Sequence, residues 1–169
     1  MKNKQLLSNS AGTSLIELLI AMMLFSILVG SIILGFTNIA RNEQNVRLKG
    51  QAINLAREGA EAVYTLAEDD WDVIGNASPT VDYQVDSSSG IWQLVQNSYS
   101  FGQYSRRIRI TNAVRNSSDN LDPDNTVNNP GDYEDPETKF ISVTVSWDSF
   151  GKTYTYTTTT IISQWKVFS

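Results

Sequence analysis

The apolar residues of this chain change their spacing twice along its length. From residue 18 to residue 36 there are nineteen positions without a charge, and twelve of them are Leu, Ile, Val or Phe. About 20 residues suffice to cross a bilayer core as a helix. After Ala40 the pattern thins to a stripe: Leu48, Ala52, Leu55, Gly59, Ala62 and Leu66 step by fours and threes, one face of an amphipathic helix. With no Pro between Ser14 and Leu66, the spacing predicts one continuous helix of about 53 residues and about 80 Å. The alternative is two helices joined near Thr37-Asn38. Asp69-Asp70 opposes the helix dipole and marks the end.

Beyond Trp71 the period shortens to two. Segments 81–86 and 91–96 flank Ser87-Ser88-Ser89-Gly90, the composition of a hairpin loop. Segment 104–111 places Tyr104, Ile108 and Ile110 on one face. Segment 140–147 places Ile141, Val143, Val145 and Trp147 on one side and Ser142, Thr144 and Ser146 on the other. A turn at 148–151 leads into 152–165, expected to be the longest strand, whose Thr and Tyr suit a half-exposed sheet position. The fold class is therefore α+β: a long N-terminal helix packed on a C-terminal antiparallel sheet of four to five strands.

Composition narrows the chemistry. The chain has no His and no Cys, so it lacks the usual general base near neutral pH, the commonest metal ligand, and any disulfide or thiolate site. No nucleophile–base pair or phosphate-binding glycine loop appears, and the sequence reads as a non-enzyme. The net charge of −5 argues against a nucleic-acid partner held through phosphates. Arg106, Arg107 and Arg109 on one strand are the only basic cluster suited to a nucleic-acid backbone. The head as a whole is acidic, so pairing with the long acidic connection that follows, or simple solvation, accounts for them better. Residues 116–138 form a polar connection rich in acids, and Asp122, Asp124 and Asp132 supply oxygens of the kind that Ca²⁺ takes. The loop is a candidate calcium site, set against the simpler reading of a solvated loop; no other cofactor is expected.

Glu17 at the head of the apolar run is the residue that needs a reason. The run's twelve large apolar residues favour insertion by roughly 4–7 kcal/mol, against about 3 kcal/mol for a carboxylate at the bilayer centre. Insertion wins, and a charge at the membrane's edge is by default functional. A secretory signal would need a small-residue cleavage site, and Thr37-Asn38-Ile39-Ala40 is a poor one. A plain anchor leaves Glu17 unexplained.

Gly12-Thr13-Ser14-Leu15-Ile16-Glu17, followed by Leu18-Leu19-Ile20, resembles the N-terminal signal of type IV prepilins and pseudopilins. The resemblance implies a leader of residues 1–12, charged through Lys2 and Lys4, cut by a prepilin peptidase between Gly12 and Thr13. It implies N-methylation of Thr13, where the family usually has Phe, and a role for Glu17 in filament assembly, neutralising the terminal amine of a neighbouring subunit. The charges flanking the span do not set its orientation, since Arg41, Arg47 and Lys49 follow it. The resemblance places the leader in the cytoplasm.

The implied organisation is a leader (1–12), a transmembrane or filament-core helix (13–40), the amphipathic half of the same helix (41–68) and a β-rich head (69–169). The implied function is a structural subunit of a type IV pilus-like filament. The alternatives are a type II secretion pseudopilin and, in a different class, a membrane-anchored binding module that never polymerises. The implied partners are other pilin subunits, the peptidase and methyltransferase, the assembly machinery, and membrane lipid before assembly. The implied location is the bacterial inner membrane first, and an extracellular or periplasmic filament afterwards.

Overall fold

The computed structural model describes residues 10–97 and 99–164. The chain divides into two compact units, Met1–Val46 and Arg47–Ser169. Helix α1 (Ser10–Asp69) contributes to both, and its 60 residues run without a break, as the absence of Pro allows. It stops where the two acids stand. The Asp70 amide donates to the Leu66 carbonyl at 2.9 Å, and the Asp70 side chain accepts from the Asp72 amide at 3.0 Å. Asp70 thereby caps a one-turn helix, α2 (Trp71–Gly75), whose Ile74 is fully buried.

Six antiparallel strands complete the second unit: β1 (Tyr83–Asp86), β2 (Gln93–Gln96), β3 (Tyr99–Phe101), β4 (Tyr104–Arg115), β5 (Tyr133–Ser149) and β6 (Lys152–Ser163). The order is β2-β1-β4-β5-β6, with β3 folded onto β4. The fold is the expected α+β arrangement, with one or two strands more than expected. The strand missed is β3, three residues returned through Gly102 at φ +60°. The longest strand is β5 with 17 residues, not β6 with 12. Trp165, expected at the end of β6, lies outside the described residues. β5 and β6 are joined through Phe150 (φ +49°) and Gly151 (φ +72°), the two left-handed residues of a tight hairpin.

The alternation of β4 and β5 builds the core. Register aligns Tyr104 with Trp147, Ile108 with Val143 and Ile110 with Ile141, and this face carries Tyr83 and Val85 from β1 as well. Against it lies the stripe of α1: Leu48, Ala52, Ala56, Gly59, Ala62, Val63 and Leu66 are buried. Leu55, expected in the stripe, is only half-buried, and Ala56 takes its place. Small residues dominate this seam and let the helix come close to the sheet. At Gly59 a Cβ would stand 3.1 Å from Val143 Cγ1 and 3.2 Å from Arg106 Cδ.

Arg106 occupies an inward position between Tyr104 and Ile108 and is 1% exposed. Its guanidinium donates through Nη1 to the Leu55 carbonyl at 3.1 Å and to Glu58 Oε1 at 3.2 Å, and it lies 4.7 Å from the Phe101 ring centre. Tyr104 reaches the same helix, donating to Gln51 Oε1 at 2.7 Å. The opposite face of the sheet is hydroxyl-rich, with Thr144 against Thr157 and Ser146 against Thr155.

Two glycines of α1 test this packing. Gly50 has nothing within 4 Å of a built Cβ, so Gly50→Ala is expected to raise stability by roughly 1 kcal/mol through helix propensity. Gly59→Val is expected to lower it by about 1–3 kcal/mol, because the added atoms enter filled space. Chemical denaturation of the full chain in detergent reads both. A Gly59→Val protein as stable as the wild type would contradict the close seam.

Candidate processing and assembly segment

Gly12 and Thr13 lie in the opening turn of α1, and residues 1–9 of the expected leader lie outside the described residues. Glu17 follows Thr13 by four, so the two positions share one helix face a turn apart. Glu17 is exposed, and no hydrogen bond or ion pair ties it to another described residue. It is the only charged residue between Ser10 and Ala40.

Around and after it, fifteen large apolar side chains from Leu15 to Phe36 are exposed, among them Phe25 at 67% and Phe36 at 69%. This stretch makes α1 long and apolar enough to cross a membrane, with a mean hydropathy of 2.6 in its most apolar window. Its hydroxyls satisfy themselves. Ser26 Oγ donates to the Met22 carbonyl and Ser31 Oγ to the Ile27 carbonyl, each at 2.8 Å, and Thr37 Oγ1 to the Leu34 carbonyl at 2.9 Å. Hydrocarbon offers polar groups no partners, so these internal bonds lower the cost of carrying them there. A Cβ at Gly30 or Gly35 would meet nothing within 4 Å, which leaves both positions open to a neighbouring helix.

In the second unit the acidic connection has a structural occupation. β4 and β5 slip register between Asn112 and Ala113: Asn112 faces Lys139, yet Ala113 faces Asp135. Asn125, at φ +48°, fills the gap beside the slip. Its Oδ1 accepts from the Val114 amide at 2.7 Å, and its Nδ2 donates to Thr111 Oγ1 and to the Asn112 carbonyl, each at 3.2 Å. The Asp122-Pro123-Asp124-Asn125 turn delivers it: Asp122 Oδ1 accepts from the Asp124 amide at 2.8 Å, and the Asp122 amide donates to the Val114 carbonyl at 2.7 Å. Asp132 accepts from the amides of Asn128 and Asn129. Asp122 and Asp132 therefore serve as turn acceptors. Among the described residues, no group of three or more His, Cys, Asp or Glu is placed to hold a metal ion, so Asp122, Asp124 and Asp132 are not gathered into one.

The arginines of β4 are consumed by carboxylates. Arg109 Nη2 donates to Asp82 Oδ1 at 2.6 Å, Arg107 lies 3.9 Å from the other oxygen of Asp82, and Arg106 is buried on Glu58. The one acid that pairs with both Arg107 and Arg109, Asp82, comes from the strand entry before β1, not from the long connection. The arginine that meets the connection is Arg115, unremarked in the sequence, whose Nε donates to Asp135 Oδ2 at 2.7 Å. The role of Asn125 is equally hidden in the sequence. An Asn after Asp-Pro-Asp is a turn signal, but nothing local shows which amide it satisfies.

Asp135 couples this corner to pH. Burial pushes its carboxyl up, but hydrogen bonds from Arg115, Thr138 and the Glu137 amide outweigh burial and hold it below the ordinary carboxylate range. A carboxyl lowered on folding stabilises the fold above its unfolded value of about 3.9, and that contribution disappears as pH falls through the folded value. Asp135→Asn is therefore expected to cost about 1–3 kcal/mol at neutral pH. Its melting temperature should converge on that of the wild type as pH drops below about 4. A deficit of constant size from pH 7 to pH 2.5 would show that the carboxylate charge contributes nothing.

Residues 7–33 match the family model of the prokaryotic N-terminal methylation motif. No curated protein matches the chain, and no solved structure matches it. The matched stretch contains Gly12, Thr13 and Glu17 and runs into the apolar part of α1. At residues 7–33 the chain thus carries the prokaryotic N-terminal methylation motif, the prepilin signal, at the head of a helix long and apolar enough to cross a membrane.

Proposed function

We propose that this protein is a structural subunit of a type IV pilus-like filament, and not an enzyme. It is made in the bacterial inner membrane, cut after Gly12, methylated on Thr13 and polymerised through its N-terminal helix. The observation that carries this is the placement of one carboxylate, Glu17, at the head of the otherwise uncharged apolar half of α1, within the methylation motif. On this reading residues 1–12 are the leader, 13–40 the filament core, 41–68 the half of α1 bearing the head's seam, and 69–169 the head. Its partners are the prepilin peptidase and methyltransferase, the membrane assembly machinery and other subunits. The finished filament is extracellular or, if the chain is a type II secretion pseudopilin, periplasmic.

The physics of Glu17 favours a filament over a solitary anchor. A carboxylate in an apolar helix bundle is tolerable when an opposite charge meets it, and the amine freed at Thr13 of a neighbouring chain is such a charge. Pairing would also fix the axial register between subunits, as buried polar pairs do in coiled coils.

Cleavage is tested by intact mass. The mature chain is expected to hold 169 − 12 = 157 residues, with a net charge of (13 − 2) − 18 = −7, since the leader removes Lys2 and Lys4 and no acid. A retained leader, or a cut after Ala40, would overturn the assignment.

Assembly is tested at Glu17. Glu17→Ala should insert and be cleaved normally, because the apolar run is untouched. Its yield of sheared fibres should fall roughly a hundred- to several-thousand-fold, the equivalent of about 3–5 kcal/mol for a buried pair broken on one side. Glu17→Gln should be defective as well, since it keeps the shape and loses the charge. Wild-type fibre yield from equal amounts of cleaved Glu17→Ala protein would hand the chain to the binding-module alternative.

A further inference from the structure

The chain has no Cys, so no disulfide ties its strands together. One cross-strand contact nevertheless brings an amine against an amide. Asn112 of β4 and Lys139 of β5 stand directly opposite each other, at the last paired position before the register slips. Both continue the inward faces of their strands, two residues from Ile110 and Ile141, which are 1% and 0% exposed. Lys139 is itself only 4% exposed, with Ile162 opposite it on β6. A lysine is almost never this buried unless its ammonium is paired. Here Nζ donates to Asn112 Oδ1 at 2.6 Å, a neutral acceptor.

The other end of the amide is engaged as well. Asn112 Nδ2 donates to Glu134 Oε2 at 2.9 Å, and the Asn112 main-chain carbonyl accepts from Asn125 Nδ2 at 3.2 Å. These neighbours fix the orientation of the amide. Flipped, it would set its N–H groups against the amine and its oxygen against the carboxylate. Burial holds the Lys139 amine below its ordinary range, and the charges of Glu134 and Asp135 oppose that only in part. A lysine lowered in this way holds more of its neutral, nucleophilic form. Reactants held in contact by a fold also gain effective concentrations of about 10⁵–10⁸ M when well oriented, which is how an unreactive amide becomes open to attack.

We propose that Lys139 and Asn112 join in a side-chain amide, an isopeptide bond that the folded head forms on itself with Glu134 as proton carrier. The neutral Lys139 amine attacks Asn112 Cγ and forms the new C–N bond, and its surplus proton passes to the Glu134 carboxylate. Glu134 gives that proton to Nδ2 as the Cγ–Nδ2 bond breaks, and ammonia leaves. The carboxylate ends as it began, and the exchange of one amide for another consumes no oxidant or cofactor. The bond closes the 139 − 112 − 1 = 26 intervening residues, with the whole acidic connection among them, into a covalent loop. It ties β4 to β5 at the point where their hydrogen-bonded register is interrupted. In a head without Cys, it constrains the unfolded chain as a disulfide does elsewhere.

Tryptic mapping of the full chain by mass spectrometry reads the bond. Trypsin cuts after Arg109, Arg115 and a free Lys139, but an acylated Lys139 resists it and the next site is Lys152. Segments 110–115 and 116–152 are therefore expected as one joined species, about 17 Da lighter than their sum through loss of ammonia. Lys139→Arg should give no joined species. Glu134→Gln, at an exposed position, keeps the shape and an acceptor for Nδ2 but cannot carry the proton. In a pulse-chase it should join at least about a hundredfold more slowly, with an unchanged circular dichroism spectrum. Free peptides 110–115 and 116–139 from the folded wild-type chain would overturn the proposal. So would joining of Glu134→Gln at the wild-type rate. Loss of ammonia with Lys139 still cut would mark an asparagine cyclised on its own backbone, and would overturn it too. Both peptides lie beyond Arg109, so the outcome is independent of cleavage at Gly12 and of the filament.

Discussion

Gly59 sets the distance between α1 and the sheet, and the burial of Arg106 depends on that distance. With only a hydrogen at Gly59, the helix backbone approaches Val143 and the aliphatic stem of Arg106 directly. The guanidinium then reaches the Leu55 carbonyl and Glu58, three residues further along the helix, through the same nitrogen. Taking a cation out of water costs several kcal/mol, and a partly exposed Glu58 (side chain 51% exposed) offsets only part of this. Arg106 Nε finds no hydrogen-bond partner in the described structure, so the pair is not optimised for stability alone. Its contribution is positional. Tyr104 on Gln51 and Arg106 on Leu55 and Glu58 form two polar rungs that admit one axial register of helix on sheet. A seam of Ala and Gly alone would slide more easily.

The same economy governs the charges elsewhere in the head. The basic stretch of β4 points alternately into the core and out to solvent, and each outward arginine meets Asp82. Arg115, further along, ties the acidic connection to β5 through Asp135 and to Asp119 at 3.8 Å. What looks in the sequence like a basic patch and an acidic loop is, in the fold, a set of local neutralisations. Little positive field remains to attract a nucleic-acid backbone.

Helix α1 serves two surroundings with two kinds of surface. Over residues 47–69 it presents one narrow face of small residues to a sheet and leaves the rest wet. Over residues 18–36 it is apolar all round, and its hydroxyls turn back onto their own carbonyls. A helix apolar on every side has no soluble resting place by itself and needs lipid or other helices around it. That requirement, with a lone carboxylate at one end, is what ties the chain's chemistry to its first forty residues and leaves the head to present surfaces.

Local periodicity was enough to reveal α1, its end at Asp69, and the core faces of β4 and β5, because a chain's own geometry repeats every 3.6 or 2 residues and the sequence must follow it. The Gly12-Thr13-Glu17 signal was legible for the same reason, since it is read as a short contiguous segment. Other features depended on segments far apart in sequence. In "YSRRIRI" the period of two sets Arg106 on the face of Tyr104 and Ile108, but nothing local shows what makes a cation tolerable there; the glycine that accommodates it lies 47 positions earlier. Asn125 became a structural plug only because β4 and β5 slip at Asn112, and that slip is fixed by residues 135–139. The strands β3 and α2's single turn were too short to show a period, and are held by what they pack against. Pairings of this kind arise only after distant segments are brought together. Their selection depends on the space and the unsatisfied groups that each segment finds on arrival, and these the tertiary structure alone decides.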